Sequence, residues 1–208
     1  MLAKCIKDEE IGIDEAGRGP LFGRVYASAV IWGNQTQVNN LITDSKKLSA
    51  KKRAEALKWI KTNVRAWGVG WADASEIDTI NILEATKLAM DRAVQNLFTT
   101  FNIQPNAIDT LIIDGTGWEK KFPNYTVISV IKGDATYLSI AAASIIAKEY
   151  HDEYINQLCD AYPDLDAKYA LKSNMGYGTK KHLDGLAIHG SSQFHRKTFK
   201  PLKIYSAL

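Results

Sequence analysis

The run from Tyr137 to Ala147 is the longest nearly apolar stretch in the chain, and it limits the fold more than any other segment. It falls well short of the ~20 residues that span a bilayer, so protein has to cover it. It opens a predicted helix from about Thr136 to Ala161, stopped at Pro163, whose small first half suits close packing on a sheet. Five segments can supply that sheet: Ile11–Asp14, Val25–Trp32 with the turn signal Gly33-Asn34, Arg65–Ala72, Thr110–Asp114 and Tyr125–Ile131. Ser49 is placed to cap a helix to about Asn63, with Ala54, Leu57, Trp59 and Ile60 as apolar contacts. A second helix is predicted from about Ile82 to Phe98, with Leu83, Leu88, Met90, Val94 and Leu97 at helical spacing. Thr179 can cap a last helix to about His189, closed by Gly190. The early strands have hairpin-like spacing and the later ones alternate with helices. The expected class is therefore α/β, a mixed sheet flanked by helices. Residues 1–162 form the expected core. Residues 163–208 form a small helical segment without an obvious core of its own, one continuous unit with the rest, ending in a basic, irregular tail.

The net charge is only +3, but it is unevenly spread. Lys46, Lys47, Lys51, Lys52, Arg53, Lys58, Lys61 and Arg65 face one acid, Glu55, within residues 46–65. Residues 165–208 hold eight Lys or Arg against Asp166 and Asp184. Two basic zones suit a polyanion-binding face; two solvated surfaces are the plainer alternative. Cys5 and Cys159 are far apart and fit neither a zinc site nor a disulfide framework, so reduced thiols in an intracellular, cytoplasmic protein are expected. The polar N-terminus (Lys4, Lys7, Asp8, Glu9, Glu10) carries no visible signal peptide, and no membrane association is expected.

Four acids stand where strands end or helices begin: Asp14, Glu15, Asp114 and Asp134. Taken singly, each is an ordinary strand-end acid satisfied by a turn or a helix N-terminus. If the strands are neighbours the carboxylates converge, and they repel unless cations intervene. Two Mg²⁺ ions would relieve that repulsion and suit in-line phosphoryl displacement.

Gly12-Ile13-Asp14-Glu15-Ala16-Gly17-Arg18-Gly19-Pro20-Leu21 closely resembles the first signature of the ribonuclease HII family, type 2 ribonuclease H. Further blocks resemble that family in order: Asp44-Ser45-Lys46-Lys47-Leu48-Ser49, Ile112-Ile113-Asp114-Gly115, Lys132-Gly133-Asp134-Ala135 and Leu138–Lys148. The C-terminal blocks Gly176-Tyr177-Gly178-Thr179-Lys180-Lys181-His182 and His195-Arg196-Lys197-Thr198-Phe199-Lys200-Pro201 complete the set. The resemblance implies a ribonuclease H-like mixed five-stranded sheet with helices and a C-terminal helical, substrate-binding segment. It implies a catalytic, metal-binding cluster of Asp14, Glu15, Asp114 and Asp134 using Mg²⁺ or Mn²⁺, with two ions expected when substrate is bound. It also implies an endoribonuclease acting on RNA–DNA hybrids and nicking 5′ of single ribonucleotides in duplex DNA, leaving a 3′-hydroxyl and a 5′-phosphate.

Gly17 and Gly19 let the backbone approach a sugar closely. The 2′-hydroxyl distinguishes RNA from DNA. Arg18, and Lys46 or Lys47, are candidates for phosphate contact, and Tyr177 for stacking on the sugar beside its 2′-oxygen; a loop tyrosine can equally be simple packing. His182 and His195 lack metal-like spacing and are read as structural or surface residues. Phe22, Arg24 and Met175 depart from the family pattern beside the glycine loop and beside Tyr177. A monomer without a clear sliding-clamp motif is expected. The alternative functions are a non-catalytic hybrid-binding module of the same fold and a different nuclease or phosphoryl-transfer enzyme on a similar fold.

Overall fold

The computed structural model describes residues 2, 3, 5, 6, 9–34 and 36–205. Lys4, Lys7 and Asp8 of the polar N-terminus and the last three residues of the tail lie outside them. The five expected strands are present: β1 (Ile11–Ala16), β2 (Val25–Ile31), β3 (Ala66–Ala72), β4 (Thr110–Asp114) and β5 (Thr126–Val130). They form one mixed sheet in the order β3-β2-β1-β4-β5. β1 pairs antiparallel with β2, and β2 with β3, whereas β1–β4 and β4–β5 are parallel.

Strand alternation sorts the side chains into two layers. Ile11, Ile13, Val25, Ala27, Ala29, Ile31, Leu111 and Ile113 point to one face, where Ala89, Ala93 and Leu97 of helix α2 (Ala74–Thr100) cover them. Tyr26 and Val30 point to the other, against α1 (Ala50–Asn63) and α3 (Leu138–Ala161). The apolar run that opens α3 is buried against the sheet as its composition demands, with Leu138 and all of 140–143 inaccessible to solvent. Among the described residues, no helix is long and apolar enough to cross a membrane.

Local signals place the helix ends. Ser49 Oγ accepts from Lys52 N at 3.4 Å and caps α1. Within α1, Ala56 and Ile60 are buried while Ala54 is exposed, so the apolar stripe is displaced from the expected one. Helix α2 begins eight residues earlier than the apolar period suggests. Asp73 and Glu76 form a reciprocal capping box there, and the helix then kinks at Asn81 (φ 70°). The kink leaves Leu83, an expected core position, 40% exposed. Pro163 ends α3 but also opens α4 (Pro163–Tyr169), since proline suits a first helical turn. After α5 (Leu171–Asn174) comes α6 (Lys180–His189), closed by Gly190 as expected. Thr179 makes no side-chain cap. The tail is not wholly irregular: Lys200–Tyr205 forms α7.

The C-terminal helices share a third apolar cluster with the rest of the chain. Leu165, Tyr169, Leu171, Leu186 and Leu202 pack with Leu21, Phe22, Ile155 and Cys159. Phe22, one of the departures from the family pattern, is wholly buried in it.

Helix α2 lies unusually close on β3. A Cβ at Gly70 would fall 2.1 Å from the Ala89 carbonyl oxygen and 2.5 Å from the Ala93 nitrogen. Backbone atoms cannot yield as a side-chain tip can. Gly70→Val should therefore cost about 1–3 kcal/mol of stability through overpacking, despite valine's preference for strands. Urea unfolding checks this, and an unchanged midpoint would show that the helix can lift at no cost.

Candidate active site

The parallel pairing of β1 with β4 aligns Gly12 with Ile112 and Ile13 with Ile113. The next residues along the two strands are Asp14 and Asp114, side by side at the carboxyl ends of the sheet's central pair, where open α/β sheets place their ligands. The chain then supplies Glu15 from the end of β1. Asp134 comes from a short 3-10 turn, Gly133–Ala135, after β5. The Gly133 N–H donates to Asp114 Oδ1 at 2.6 Å, tying that turn to the tip of β4.

A cleft of about 370 Å³ opens at this edge, lined among others by Asp14, Glu15, Gly17, Arg18, Gly19 and Asp114. Lys46 and Tyr177 complete its rim. Asp134 is buried beside it, in the field of Asp114, Asp44 and Lys46. The expected residues thus come together, with one exception. Lys47 is 69% exposed, 3.9 Å from Asp44, and lies off the cleft.

Burial, then the charges of Glu15 and Asp114, push the Asp14 carboxyl well above its ordinary range. Burial also raises Glu15, offset by Arg18, whose Nη1 donates to Glu15 Oε1 at 3.2 Å. Asp134 is raised by burial, then by Asp114. Glu15 Oε2 is buried with no hydrogen-bond partner. Such crowded, partly unsatisfied oxygens suit a hard divalent cation. Among the described residues no ready-made cage of three His, Cys, Asp or Glu side chains exists. An open carboxylate site fits Mg²⁺, which usually completes its shell with waters and substrate oxygens.

Three further cleft residues escaped the sequence reading. Ser144 hydrogen-bonds Asp14, and its Oγ lies 2.9 Å from Ser45 Oγ. Lys148 stands one turn beyond Ser144 on α3, its Nζ donating to Asp152 Oδ1 at 2.7 Å. The i, i+4 spacing of Ser144 and Lys148 within a helix start otherwise interrupted only by Ser139 is the available signal.

The glycine loop and Tyr177 meet directly. Gly17 has φ 86°, and a Cβ there would lie 2.4 Å from the His151 ring. A Cβ at Gly19 would lie 3.2 Å from Tyr177 Cε1. Tyr177 itself is 46% exposed, so its ring leans on the loop with one face open to the cleft.

Tyr177 is held from behind by the two histidines. The Ser192 N–H donates to His195 Nδ1 at 2.9 Å, which makes that nitrogen an acceptor. His195 therefore carries its proton on Nε2 and donates to His182 Nε2, 3.0 Å away. His182 in turn donates from Nδ1 to the Tyr177 carbonyl at 3.0 Å. Both rings are buried, so neither is a surface residue. The relay exists only with both rings neutral; burial, then His182, pushes His195 down to about 3.

Two stability predictions follow from these charges. A carboxyl raised in the folded state binds an extra proton there, so stability falls as pH rises from the ordinary carboxylate range through the raised value. Neutralising Asp14 should remove that penalty: Asp14→Asn should melt higher than the parent at pH 7 in chelator. An equal or lower melting temperature would show that the acids are not in conflict. His195 has the opposite sign. Its unfolded form takes a proton near pH 6.5 and its folded form only near 3, so stability is full above 6.5 and falls as pH drops through that window. The slope is at most about 1.4 kcal/mol per pH unit for one proton. His195→Gln should flatten the urea-derived stability profile between pH 6 and 4, and parallel profiles would refute the neutral relay.

The comparisons with known proteins identify the family and the fold. Residues 11–202 match the family model for ribonuclease HII. The chain is 47% identical over 204 residues to ribonuclease HII of Bacteroides fragilis, covering 97% of this chain and 95% of that one. In fold it is similar to ribonuclease H2 of Pyrococcus horikoshii, with a TM-score of 0.69 at 21% identity over 96% of this chain and 97% of the other. It is also similar in fold to a chain from the PCNA:ribonuclease HII complex of Archaeoglobus fulgidus, with a TM-score of 0.72 at 22% identity over 92% of this chain and 95% of that one. The chain belongs to the ribonuclease HII family.

Proposed function

We propose that this ribonuclease hydrolyses the RNA strand of RNA–DNA hybrids and nicks duplex DNA on the 5′ side of a single embedded ribonucleotide. The observation that carries this reading is that two unlike parts line one cleft. Buried and half-buried carboxylates on β1 and β4 lie beside a glycine loop and an exposed tyrosine that together fit a ribose. The first part suits phosphodiester hydrolysis, the second reading of a 2′-hydroxyl.

In the proposed mechanism Asp14, Glu15, Asp114 and Asp134 would hold divalent cations, Mg²⁺ or Mn²⁺. When bound, these would supply charge neutralisation, a more acidic attacking water and stabilisation of the leaving oxygen. Lys46, at the rim, holds a phosphate by its charge; Lys47 is too far out to share that role. Gly17 and Gly19 present backbone to the sugar, and Tyr177 packs on it. Water oxygen joins phosphorus, the bond to O3′ breaks, and O3′ takes a proton, giving a 3′-hydroxyl and a 5′-phosphate. The carboxylates count against a non-catalytic binding module, because without cations they would repel the phosphates such a module must attract. A substrate of this kind places the enzyme with the cell's DNA, in the cytoplasm. We further propose that it works as a monomer without a clamp-binding motif, its C-terminal helices serving as a substrate-binding extension of one continuous unit.

Cleavage of three matched duplexes checks the reading: an RNA–DNA hybrid, a DNA duplex with one ribonucleotide, and all-DNA. With Mg²⁺ or Mn²⁺ the first two should be cut and the third left intact. Chelator or Asp14→Asn should abolish cutting. Equal cleavage of all-DNA, or undiminished activity of the Asp14→Asn protein, would overturn it.

A further inference from the structure

Arg196 is the largest of the wholly buried side chains. A guanidinium out of water costs several kcal/mol unless its donors are used. Among the described residues no carboxylate is ion-paired with it. Its compensation is four backbone carbonyls, all from one loop. Nε donates to Gly23 O at 2.9 Å, Nη1 to Arg18 O at 3.1 Å and Pro20 O at 2.7 Å, and Nη2 to Gly17 O at 2.7 Å. Its own N–H donates to Leu21 O at 2.9 Å, while the Gly23 N–H donates to Phe194 O at 2.8 Å. The Phe199 ring lies 5.2 Å from the guanidinium carbon. Burial brings the side chain down to about 9, so it remains charged at neutral pH.

The geometry has a directional result. No peptide bond here is cis, and in a trans peptide the N–H points opposite to the C=O. The Gly17 carbonyl shares a peptide plane with the Arg18 N–H, and the Arg18 carbonyl with the Gly19 N–H. Drawing those two carbonyls onto the guanidinium turns both N–H groups away from it. We propose that Arg196 is the positioning residue of the sugar-reading loop. It gathers the carbonyls of residues 17–23 on its planar fork so that the N–H groups of Arg18 and Gly19 face the cleft as fixed donors to the ribose. A lysine could not do this, having three donors on one nitrogen where the site needs three nitrogens in a plane. The assignment rests on the proposed function and adds the residue that sets its selectivity.

The test compares Arg196→Lys and Arg196→Ala with the parent on the duplex carrying one ribonucleotide. Thermal melting and Mn²⁺ titration calorimetry are run alongside. Loosening the loop by an ångström should lower kcat/KM about 10²-fold, mainly in kcat. Mn²⁺ affinity should be unchanged, since Asp14, Glu15 and Asp114 stand on strands and the turn carrying Asp134 is tied to β4, not to the glycine loop. Methylguanidinium at millimolar concentration should restore part of the activity to Arg196→Ala and none to Asp14→Asn. Variants that cleave like the parent would overturn the assignment. So would variants that lose Mn²⁺ binding together with cleavage, melt below the assay temperature, or fold and bind metal yet show no rescue; each makes Arg196 a staple of the fold rather than of the loop. A parent enzyme that does not cut at the ribonucleotide overturns the functional reading and this inference with it. With a parent that does cut there, any of the overturning variant results removes this inference alone.

Discussion

Parallel pairing of β1 with β4 is the constraint on which the site depends. It sets two acids from opposite halves of the chain side by side at the tips of the two most central strands. The surrounding sheet and α3 then deny water to Asp14 and leave Asp114 half-buried. Folding gains nothing electrostatically from this arrangement. The apolar layers beneath supply the stability that lets it persist. Natural active sites commonly hold such locally unfavourable charge where function needs it. Here the cost is confined to a rim of carboxylates, and Arg18 and Lys46 already offset part of it.

A second division of labour separates the strand-borne acids from the loop-borne reading groups. Asp14, Glu15 and Asp114 owe their places to register, which a one-residue slip would turn to the opposite face. The glycine loop and Tyr177 have no such scaffold and are fixed from behind by residues 192–196. One short segment thus backs both halves of the sugar site, with Arg196 under the loop and His195, through His182, under Tyr177.

Much of this was readable in the sequence, for particular reasons. The strands announce themselves through apolar runs ending in Asp, Gly or Asn, and the acids were singled out by standing at those ends. Ser49 and Gly190 mark helix ends correctly. What was missed falls into two kinds. The start of α2 was legible in Asp73 and Glu76, but the apolar period drew attention downstream. Pro163 reads as a stop, yet it is also a start. The other kind could not be read locally. Ser45 meets Ser144, and Arg196 meets Gly17, only because the fold brings together residues 99 and 179 positions apart. Nothing near His182 in the sequence announces that His195 will face it at 3.0 Å. Lys46 and Lys47 were indistinguishable until the short 3-10 turn that carries them showed which one reaches the cleft.

The reach of Arg196 has a consequence in time as well as space. A chain made from its N-terminus completes all five strands and all four acids well before residue 196 emerges. Domains in general fold as units during synthesis. Late in its synthesis, between residues 134 and 196, this protein therefore holds a nearly finished hydrolytic centre whose selective loop lacks its anchor. Order in that loop arrives only once residue 196 is made, so the capacity to break a backbone and the discrimination over which backbone to break mature at different moments.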